Sequence, residues 1–194
     1  MKLTAGGPLF AVRDREVSLD FYRKILGLEV VNDFGANVVL TGGLALQTLD
    51  TWASFLEKPS EEIRFGGVDA EMYYVADDFD AFLGLLKDHP EVELVHPAVE
   101  HRWGQRAVRL YDPDRHVIEV GESLAKVAKR FRDGGLNEEG VARRMDISLE
   151  YAKKLLKETE APLGLSQRRC FYRLRYASIS KSRSLVSPFR YRGW

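Results

Sequence analysis

A short segment, residues 100–106, gathers side chains of the kinds that line binding clefts. It contains Arg102, Trp103 and Gln105, and a predicted strand begins at Arg106. An aromatic ring offers a flat apolar wall, and a guanidinium group recognises a carboxylate or a phosphate through two parallel hydrogen bonds. The segment therefore predicts a small-molecule cleft for a polar, anionic or polar-aromatic ligand. The alternative interpretation is that Trp103 only caps the edge of a sheet.

Other sequence signatures of catalysis are not found. The chain has no Ser/His/Asp set, no phosphate-binding glycine loop and no dinucleotide fingerprint. His96 and His101 need not share a face, so we interpret both as surface or packing residues. The single cysteine, Cys170, excludes an internal disulfide and a thiolate zinc site. Together with the lack of a signal-peptide pattern or a long apolar run, this predicts a cytoplasmic protein with no membrane partner.

The balanced composition conceals two regions of opposite charge. The chain has 29 basic and 29 acidic residues, but after Glu160 there are 8 basic residues and no acidic one. Residues 1–160 therefore hold 21 bases against 29 acids, a net charge of −8. The basic segment 161–194 also contains 6 aromatic residues, a composition that suits nucleic acid. We favour the interpretation that it is a poorly ordered tail without such a role.

Apolar spacing predicts an α+β fold built from two copies of one βαβββ unit, at about residues 7–50 and 68–121. A strand at Leu9–Val12 precedes a helix that ends at Gly27, and three short strands follow. The same order starts again with a strand at Glu71–Val75. Because one such unit is too small to bury its own sheet face, each unit must pack against another copy.

The alignment of the two copies follows from their first strands. A shift of 63 residues places Val12 on Val75 and Asp14 on Asp77, each aspartate just before a predicted helix. This shift gives the residues that we expect at equivalent positions of the two units.

The chain changes character after the second unit. Residues 1–122 are predicted to form the α+β domain, and residues 123–160 a helical appendage, because they show helical apolar spacing and no strand signal. Within the appendage, residues 137–157 have the pattern of a helix-turn-helix. Residues 161–194 lack periodicity.

Three segments resemble the vicinal oxygen chelate superfamily: FAVRD at residues 10–14, FYRKILGL at 21–28 and LYDPDRHVIEV at 110–120. This superfamily includes glyoxalase I, extradiol dioxygenases, and fosfomycin and bleomycin resistance proteins. The resemblance covers about residues 7–121. It implies paired βαβββ modules that form a curled mixed sheet with a cleft, followed here by the small helical extension. In such a cleft, the first and last strands of each module hold a divalent metal.

The metal-binding positions that this resemblance implies are poorly filled in this chain. The first-strand positions correspond to Gly7 and Ala70, which cannot bind a metal, and the last-strand positions to Gln47 and Glu119. Glu71 would replace Ala70 only if the strand register slipped by one residue. One carboxylate and one amide are too few ligands for an octahedral cation, so we expect no cofactor. If a divalent metal is bound after all, Glu119 and Gln47 are its predicted ligands.

The leading functional hypothesis is a glyoxalase/bleomycin-resistance-like protein that binds a small polar or anionic molecule in the cleft without a catalytic metal. The predicted ligand-binding residues are Gln47, Tyr73, Arg102, Trp103, Gln105 and Glu119. Glu119 could instead be a strand carboxylate paired with an arginine. No catalytic residue is identified, and if the protein is an enzyme, it is a metal-dependent lyase or dioxygenase of the same superfamily. We also expect a homodimer, because paired modules leave sheet edges and faces for a second chain to cover.

A third hypothesis is a ligand-responsive DNA-binding protein that uses residues 137–157 or the basic tail. A DNA-reading helix carries bases and amides early in its sequence. Here Ser148, Glu150 and Tyr151 occupy those positions, and Lys153 comes only later. We therefore favour a packing role for these helices over nucleic-acid binding.

Overall fold

The computed structural model describes residues 1–160, and these residues fall in one compact unit. The first module begins with strand β1 and helix α1. Asp14 caps α1 by accepting hydrogen bonds from the backbone N–H groups of Glu16 and Val17, and Gly27 ends it with a φ of 64°. The elements of this module are β1 (Leu9–Val12), α1 (Arg15–Leu26), β2 (Val30–Asp33), β3 (Asn37–Leu40) and β4 (Ala45–Thr48).

The first module forms an open four-stranded sheet in the order β1-β4-β3-β2. β1 is parallel to β4, and the other two pairs are antiparallel. Helix α2 (Leu49–Phe55) follows β4 directly, and a short 3₁₀ turn at Ser60–Glu62 leads towards the second module.

The second module repeats this topology in a sheet of its own, in the order β5-β8-β7-β6. The parallel pair is now β5 with β8. The elements of this module are β5 (Glu71–Ala76), α3 (Phe79–Asp88), β6 (Leu94–Glu100), β7 (Arg106–Tyr111) and β8 (Val117–Glu122).

One hydrophobic cluster joins the two modules. It combines one face of each sheet with the inner sides of α1 and α3. Its largest fully buried side chain is Tyr22, whose hydroxyl donates a hydrogen bond of 2.9 Å to the buried Asp112 of the second module. His116 lies in the same junction and stacks on Phe10 at 4.2 Å between ring centroids. The remaining face of each sheet is left outside this core.

The structure corrects the alignment of the two modules. Asp78, and not Asp77, caps α3, through a hydrogen bond of 3.0 Å from the backbone N–H of Ala81. Since Asp14 caps α1, the modules are related by a shift of 64 residues instead of 63. The predicted alignment was wrong by one residue because two adjacent aspartates offer the same capping chemistry, and only the packing of the helix selects one.

This correction changes which residues are equivalent. Val12 corresponds to Ala76, and both pack on the core side of their sheets. The counterpart of Gly7 is therefore Glu71 instead of Ala70. In a strand, a shift of one residue moves a side chain to the other face, so the corrected position places a carboxylate where an alanine was predicted.

The C-terminal helices α4 (Leu124–Asp133), α5 (Glu138–Met145) and α6 (Leu149–Glu160) form a second hydrophobic cluster. Each of the three helices contributes fully buried side chains: Val127 and Ala128 of α4, Val141 of α5 and Ala152 of α6. Asp146, in a left-handed conformation with a φ of 56°, ends α5 and begins the turn into α6. The α+β fold with two open βαβββ sheets and a helical extension is thus confirmed.

None of the helices in residues 1–160 is long and apolar enough to cross a membrane. The predicted basic tail, residues 161–194, lies outside the described residues.

Candidate functional site

The open face of the second sheet carries most of the residues that the sequence singled out. Along β5, side chains alternate between the core and this face, so Tyr74 packs inward while Tyr73 and Val75 point outward. Tyr73 is 45% exposed and Val75 52% exposed. Such exposure of large apolar side chains next to polar ones is typical of a binding surface.

Three predicted residues form a hydrogen-bonded group on this face. The Gln105 side-chain amide donates to the Tyr73 hydroxyl at 3.0 Å and to the backbone carbonyl of Glu122 at 2.9 Å. Its carbonyl oxygen accepts from the Trp103 indole N–H at 3.0 Å. Gln105 itself is buried, so these bonds fix both aromatic rings. We call Tyr73, Trp103 and Gln105 the aromatic wall.

The Tyr73 hydroxyl retains hydrogen-bonding capacity. Within residues 1–160 it accepts the bond from Gln105 and donates none, so its proton is free for a ligand. Gly121, on the neighbouring strand, lets Tyr73 and Gln105 meet. A Cβ at that position would lie 3.0 Å from the Gln105 amide nitrogen and 3.0 Å from the Tyr73 hydroxyl.

The His101 ring extends the aromatic wall. It stacks on Trp103 with 4.4 Å between ring centroids and an interplanar angle of 12°. From the sequence alone, His101 is expected to be a surface or packing residue. Aromatic side chains two positions apart in a tight turn can stack on each other. The spacing of His101 and Trp103 was therefore the sequence signal for this contact.

Glu119 lies beside the wall but is engaged with an arginine. It pairs with Tyr73 across β5 and β8 and with Arg109 across β7 and β8. Its carboxylate contacts the Arg109 guanidinium, which also binds Glu71 with an Nε to Oε2 distance of 2.8 Å. This geometry agrees with the alternative interpretation, in which Glu119 is a strand carboxylate paired with an arginine.

Arg109 and Glu71 belong to the site but were not among its predicted residues. Arg109 and Glu119 are equally distant in sequence from Asp114, near the centre of the β7–β8 turn, so a hairpin pairs them. This equal spacing about the turn was the sequence signal that Arg109 lies opposite Glu119. Glu71 was considered only as a replacement for Ala70 after a register slip, because of the one-residue error in aligning the modules.

Gln47 lies in the other sheet, and both polar atoms of its side chain have hydrogen-bond partners there. Its oxygen accepts from the Asn37 amide at 2.9 Å, and its nitrogen donates to the Thr51 hydroxyl at 2.5 Å. The residue is 3% exposed, under the first turn of α2. The structure therefore does not bring Gln47 into contact with the aromatic wall.

Arg102 points away from the wall towards the C-terminal helices. Its guanidinium binds Asp146 at 2.5 Å, and its backbone carbonyl accepts a hydrogen bond from Arg144. Arg130 of α4 donates to the backbone carbonyl of Gly104 at 2.6 Å. The helices thus hold the residue 101–105 turn from behind.

Gly104 and Phe131 complete this support. Gly104 has a φ of 88°, and a Cβ there would overlap the Phe131 ring. Only glycine combines that conformation with such close approach to the aromatic ring. The turn that carries Trp103 is therefore docked on α4 by shape as well as by hydrogen bonds.

A buried carboxylate ties the turn to the sheet. Glu122 is contacted by Arg106 at 3.1 Å and by Arg130 at 3.1 Å. Burial alone would raise the pKa of Glu122, but the hydrogen bonds from Arg106 and the charges of Arg106 and Arg130 outweigh burial and hold this pKa below its usual value. Glu122 stays ionised and pins both arginines.

The metal site that the family resemblance implies does not fit these residues. Among the described residues, no group of three or more His, Cys, Asp or Glu side chains could hold a metal ion. Glu71 and Glu119 share one guanidinium, Gly7 has no side chain, and both polar atoms of the Gln47 side chain already bond to Asn37 and Thr51. We derive no chemical step through a metal.

A cavity of about 350 Å³ lies elsewhere, at the junction of α1 with the β7–β8 turn. The ion pair between Arg115 and Glu93, at 2.5 Å, forms part of its lining. The cavity contains none of the predicted ligand-binding residues. We place the candidate site on the open sheet face, because the aromatic wall combines exposure with free hydrogen-bonding capacity. The cavity is lined by Phe21, Glu91, Val92, Glu93, Tyr111, Asp112, Pro113 and Arg115.

Comparison with known proteins supports the fold and the sequence motifs. A family model described as the glyoxalase-like domain matches residues 5–125. A protein of unknown function from Agrobacterium tumefaciens is 35% identical, with a TM-score of 0.55, over 63% of this chain and 96% of the other. No curated protein matches the chain.

Two more distant structures are similar in fold alone. A glyoxalase-related enzyme from Fulvimarina pelagi is 16% identical, with a TM-score of 0.54, over 63% of this chain and 91% of the other. A glyoxalase/bleomycin resistance protein/dioxygenase from Nocardioides is 16% identical, with a TM-score of 0.51, over 63% of this chain and 85% of the other.

Proposed function

The chain belongs to the glyoxalase-like family, and on that basis we propose that it binds a small polar aromatic molecule on the open face of the second sheet, without a catalytic metal. The observation that carries this proposal is the aromatic wall. Two aromatic rings are fixed by one buried amide, and the Tyr73 hydroxyl proton is left for a ligand. A flat ring stacks on Trp103 or Tyr73, and a polar substituent accepts the Tyr73 proton.

The charges near the wall favour a neutral polar ligand over an anionic one. The three arginines closest to it in sequence and sheet all have carboxylate partners: Arg102 binds Asp146, Arg106 binds Glu122, and Arg109 binds Glu71 and Glu119. At Arg106 and Arg109, whose partners Glu122 and Glu119 are buried, an anion would have to compete with those carboxylates and leave one of them unpaired. The Arg102–Asp146 pair is exposed and opposes an anion only weakly. Of the ligands predicted from the sequence, a neutral polar molecule is therefore favoured over an anion.

The residues at the implied metal-ligand positions favour binding or sequestration of a ligand over metal-dependent chemistry. The competing hypothesis, a metal-dependent lyase or dioxygenase, needs two open coordination positions beside a tightly held cation. The carboxylates Glu71 and Glu119 would first have to release Arg109. Elemental analysis of the dialysed protein is expected to find much less than one divalent metal per chain, and about one per chain would support the enzyme instead.

We further propose that a second copy of the chain covers the open face. Tyr73, Val75 and Val99 are each more than two-fifths exposed there, and such apolar groups usually mark an interface. In a homodimer with two-fold symmetry, the partner would close the cleft over the wall.

A binding experiment with matched variants tests the proposed function. Small phenols, aromatic amides and their carboxylate analogues are titrated calorimetrically into the full-length protein in the presence of a chelator. Trp103→Leu is expected to weaken binding of the neutral compounds by about tenfold or more, since it removes roughly 1.4 kcal/mol or more of stacking and area burial. Trp52→Phe, on α2 of the other module, is the matched control and should leave affinity unchanged. Equal affinities for wild type and Trp103→Leu, or no binding by any compound, would contradict the proposal.

A further inference from the structure

We propose that Arg109 is an internal cation that replaces a divalent metal between Glu71 and Glu119. This inference rests on the metal-free binding face proposed above and gives that face a specific device for excluding metals. It depends on the geometry of three side chains on the open face of the second sheet.

The three residues come from adjacent strands. Arg109 pairs directly with Glu119 across β7 and β8, and Glu71 lies on β5, the other neighbour of β8. The guanidinium reaches Glu71 at 2.8 Å and contacts Glu119. It therefore spans the central strand and joins two carboxylates that no direct contact links.

Burial makes a counter-charge necessary. The Glu119 side chain is 9% exposed and that of Arg109 is 25% exposed. A carboxylate withdrawn from water is costly unless a cation and hydrogen-bond donors compensate it, and two carboxylates on one face also repel each other. The alignment that makes Glu71 the counterpart of Gly7 places both carboxylates at positions where the family resemblance implies metal ligands.

A guanidinium can fill this role without a metal supply. It is always charged and presents several N–H donors in a planar fork, which suits two carboxylates at once. It is also covalently attached, so it occupies the position at any metal concentration. A divalent ion would have to displace it and leave a partly buried guanidinium without partners. The site thus stays closed to metals.

Titration with Mn²⁺ tests this inference in the full-length protein. Wild type is expected to bind Mn²⁺ only weakly. Arg109→Met, which keeps an unbranched stem but removes the guanidinium and its charge, should bind about one Mn²⁺ per chain at least tenfold more tightly. Adding Glu119→Gln should abolish the gain. Arg115→Met removes an arginine that binds Glu93 outside the site and should behave like wild type.

Folding of the variants is followed by circular dichroism and provides a second readout. If Arg109→Met does not fold, the double variant with Glu119→Gln should recover folding, because it removes the carboxylate that needs the cation. A folded Arg109→Met variant with no gain in Mn²⁺ affinity, or no recovery in the double variant, would overturn the inference. So would tight Mn²⁺ binding by wild type that Glu119→Gln abolishes. Each outcome is independent of the ligand titration, so a failure of the proposed ligand class leaves this test intact.

Discussion

At the scale of single residues, Glu122 connects the sheet, the aromatic wall and the C-terminal helices. Its carboxylate binds Arg106 and Arg130, and its backbone carbonyl accepts a hydrogen bond from Gln105. The carboxylate is nearly inaccessible to solvent, so each of these interactions acts in a low-dielectric environment. Charge at this one residue is therefore linked to the position of the wall.

The lowered pKa of Glu122 predicts a pH dependence of stability. A carboxyl whose pKa is lower in the folded state than in the unfolded state stabilises the fold above the unfolded value, which is near 4.5, and loses that contribution as pH falls through the folded value. Urea unfolding should therefore show Glu122→Gln less stable than wild type at pH 7, with the difference shrinking below about pH 4.

Glu158→Gln, at an exposed carboxylate of α6, is the control for that experiment and should follow wild type at both pH values. A Glu122→Gln variant whose loss of stability is the same at pH 3 and pH 7 would show that the Glu122 charge is not the cause.

Residue types alone could not predict where each site side chain points. Arg102 was predicted to recognise a ligand, but it binds Asp146, which is 44 residues away and on another element. Trp103, Gln105 and Tyr73 do come together, because strand alternation fixes the outward face of Tyr73 and the turn brings Trp103 back over Gln105. The directions of the other side chains depend on contacts with residues distant in the sequence, as for Arg102 and Asp146.

At the scale of elements, helix α4 acts as a support for the turn that carries Trp103. Phe131 fills the space next to Gly104, and Arg130 bonds the turn's backbone. Gly104→Ala should therefore destabilise the protein in two ways: a left-handed conformation costs about 1 kcal/mol or more in a residue with a Cβ, and the added methyl overlaps the ring.

A double-mutant cycle separates these two costs. In the Phe131→Ala background the overlap is gone, so Gly104→Ala should cost about 1 kcal/mol less than in wild type, measured by urea unfolding. The fluorescence of Trp103, isolated by replacing Trp52 and Trp194 with phenylalanine, should also change in Phe131→Ala. Lys129→Ala, elsewhere on α4, should change neither quantity. Additive costs in the cycle would contradict the packing argument.

Most element positions could be predicted from apolar spacing and end signals. Gly27 ends α1 and the strand Asn37–Leu40 is observed as expected. The alignment of the modules failed by one residue at Asp77 and Asp78, where local chemistry is degenerate. Because of that one-residue error, Ala70 was assigned to the implied metal-ligand position that Glu71 occupies.

At the scale of the whole molecule, charge separates residues 1–160 from the basic segment 161–194. Because the former has a net charge of −8, we predict that any affinity for nucleic acid depends on the latter. Removing residues 161–194 should abolish binding to random duplexes in a gel-shift assay. The affinity of the full chain should fall steeply with salt and show no sequence preference. A defined motif enriched by residues 1–160 would favour the DNA-reading hypothesis for residues 137–157.

The assembly provides a separate prediction at this scale. The exposed apolar side chains of the second sheet favour a homodimer, which light scattering should detect at micromolar concentration. Val75→Lys should shift the equilibrium towards monomer, because it places a charge in the proposed interface. Val31→Lys, on the exposed edge strand of the first sheet, is the comparison. A monomeric wild-type protein would contradict the proposed dimer.

The most direct test of the metal-free aromatic wall is the ¹⁵N resonance of the Trp103 indole in the full-length protein, followed during titration with neutral phenols and aromatic amides in the presence of a chelator. This indole donates to Gln105, so a ligand that stacks on the wall must alter its environment. We predict that the Trp103 signal shifts in a saturable way while the Trp52 signal stays in place. A Trp103 signal that shifts only after a divalent metal is added, or that does not shift with any compound, would contradict the account.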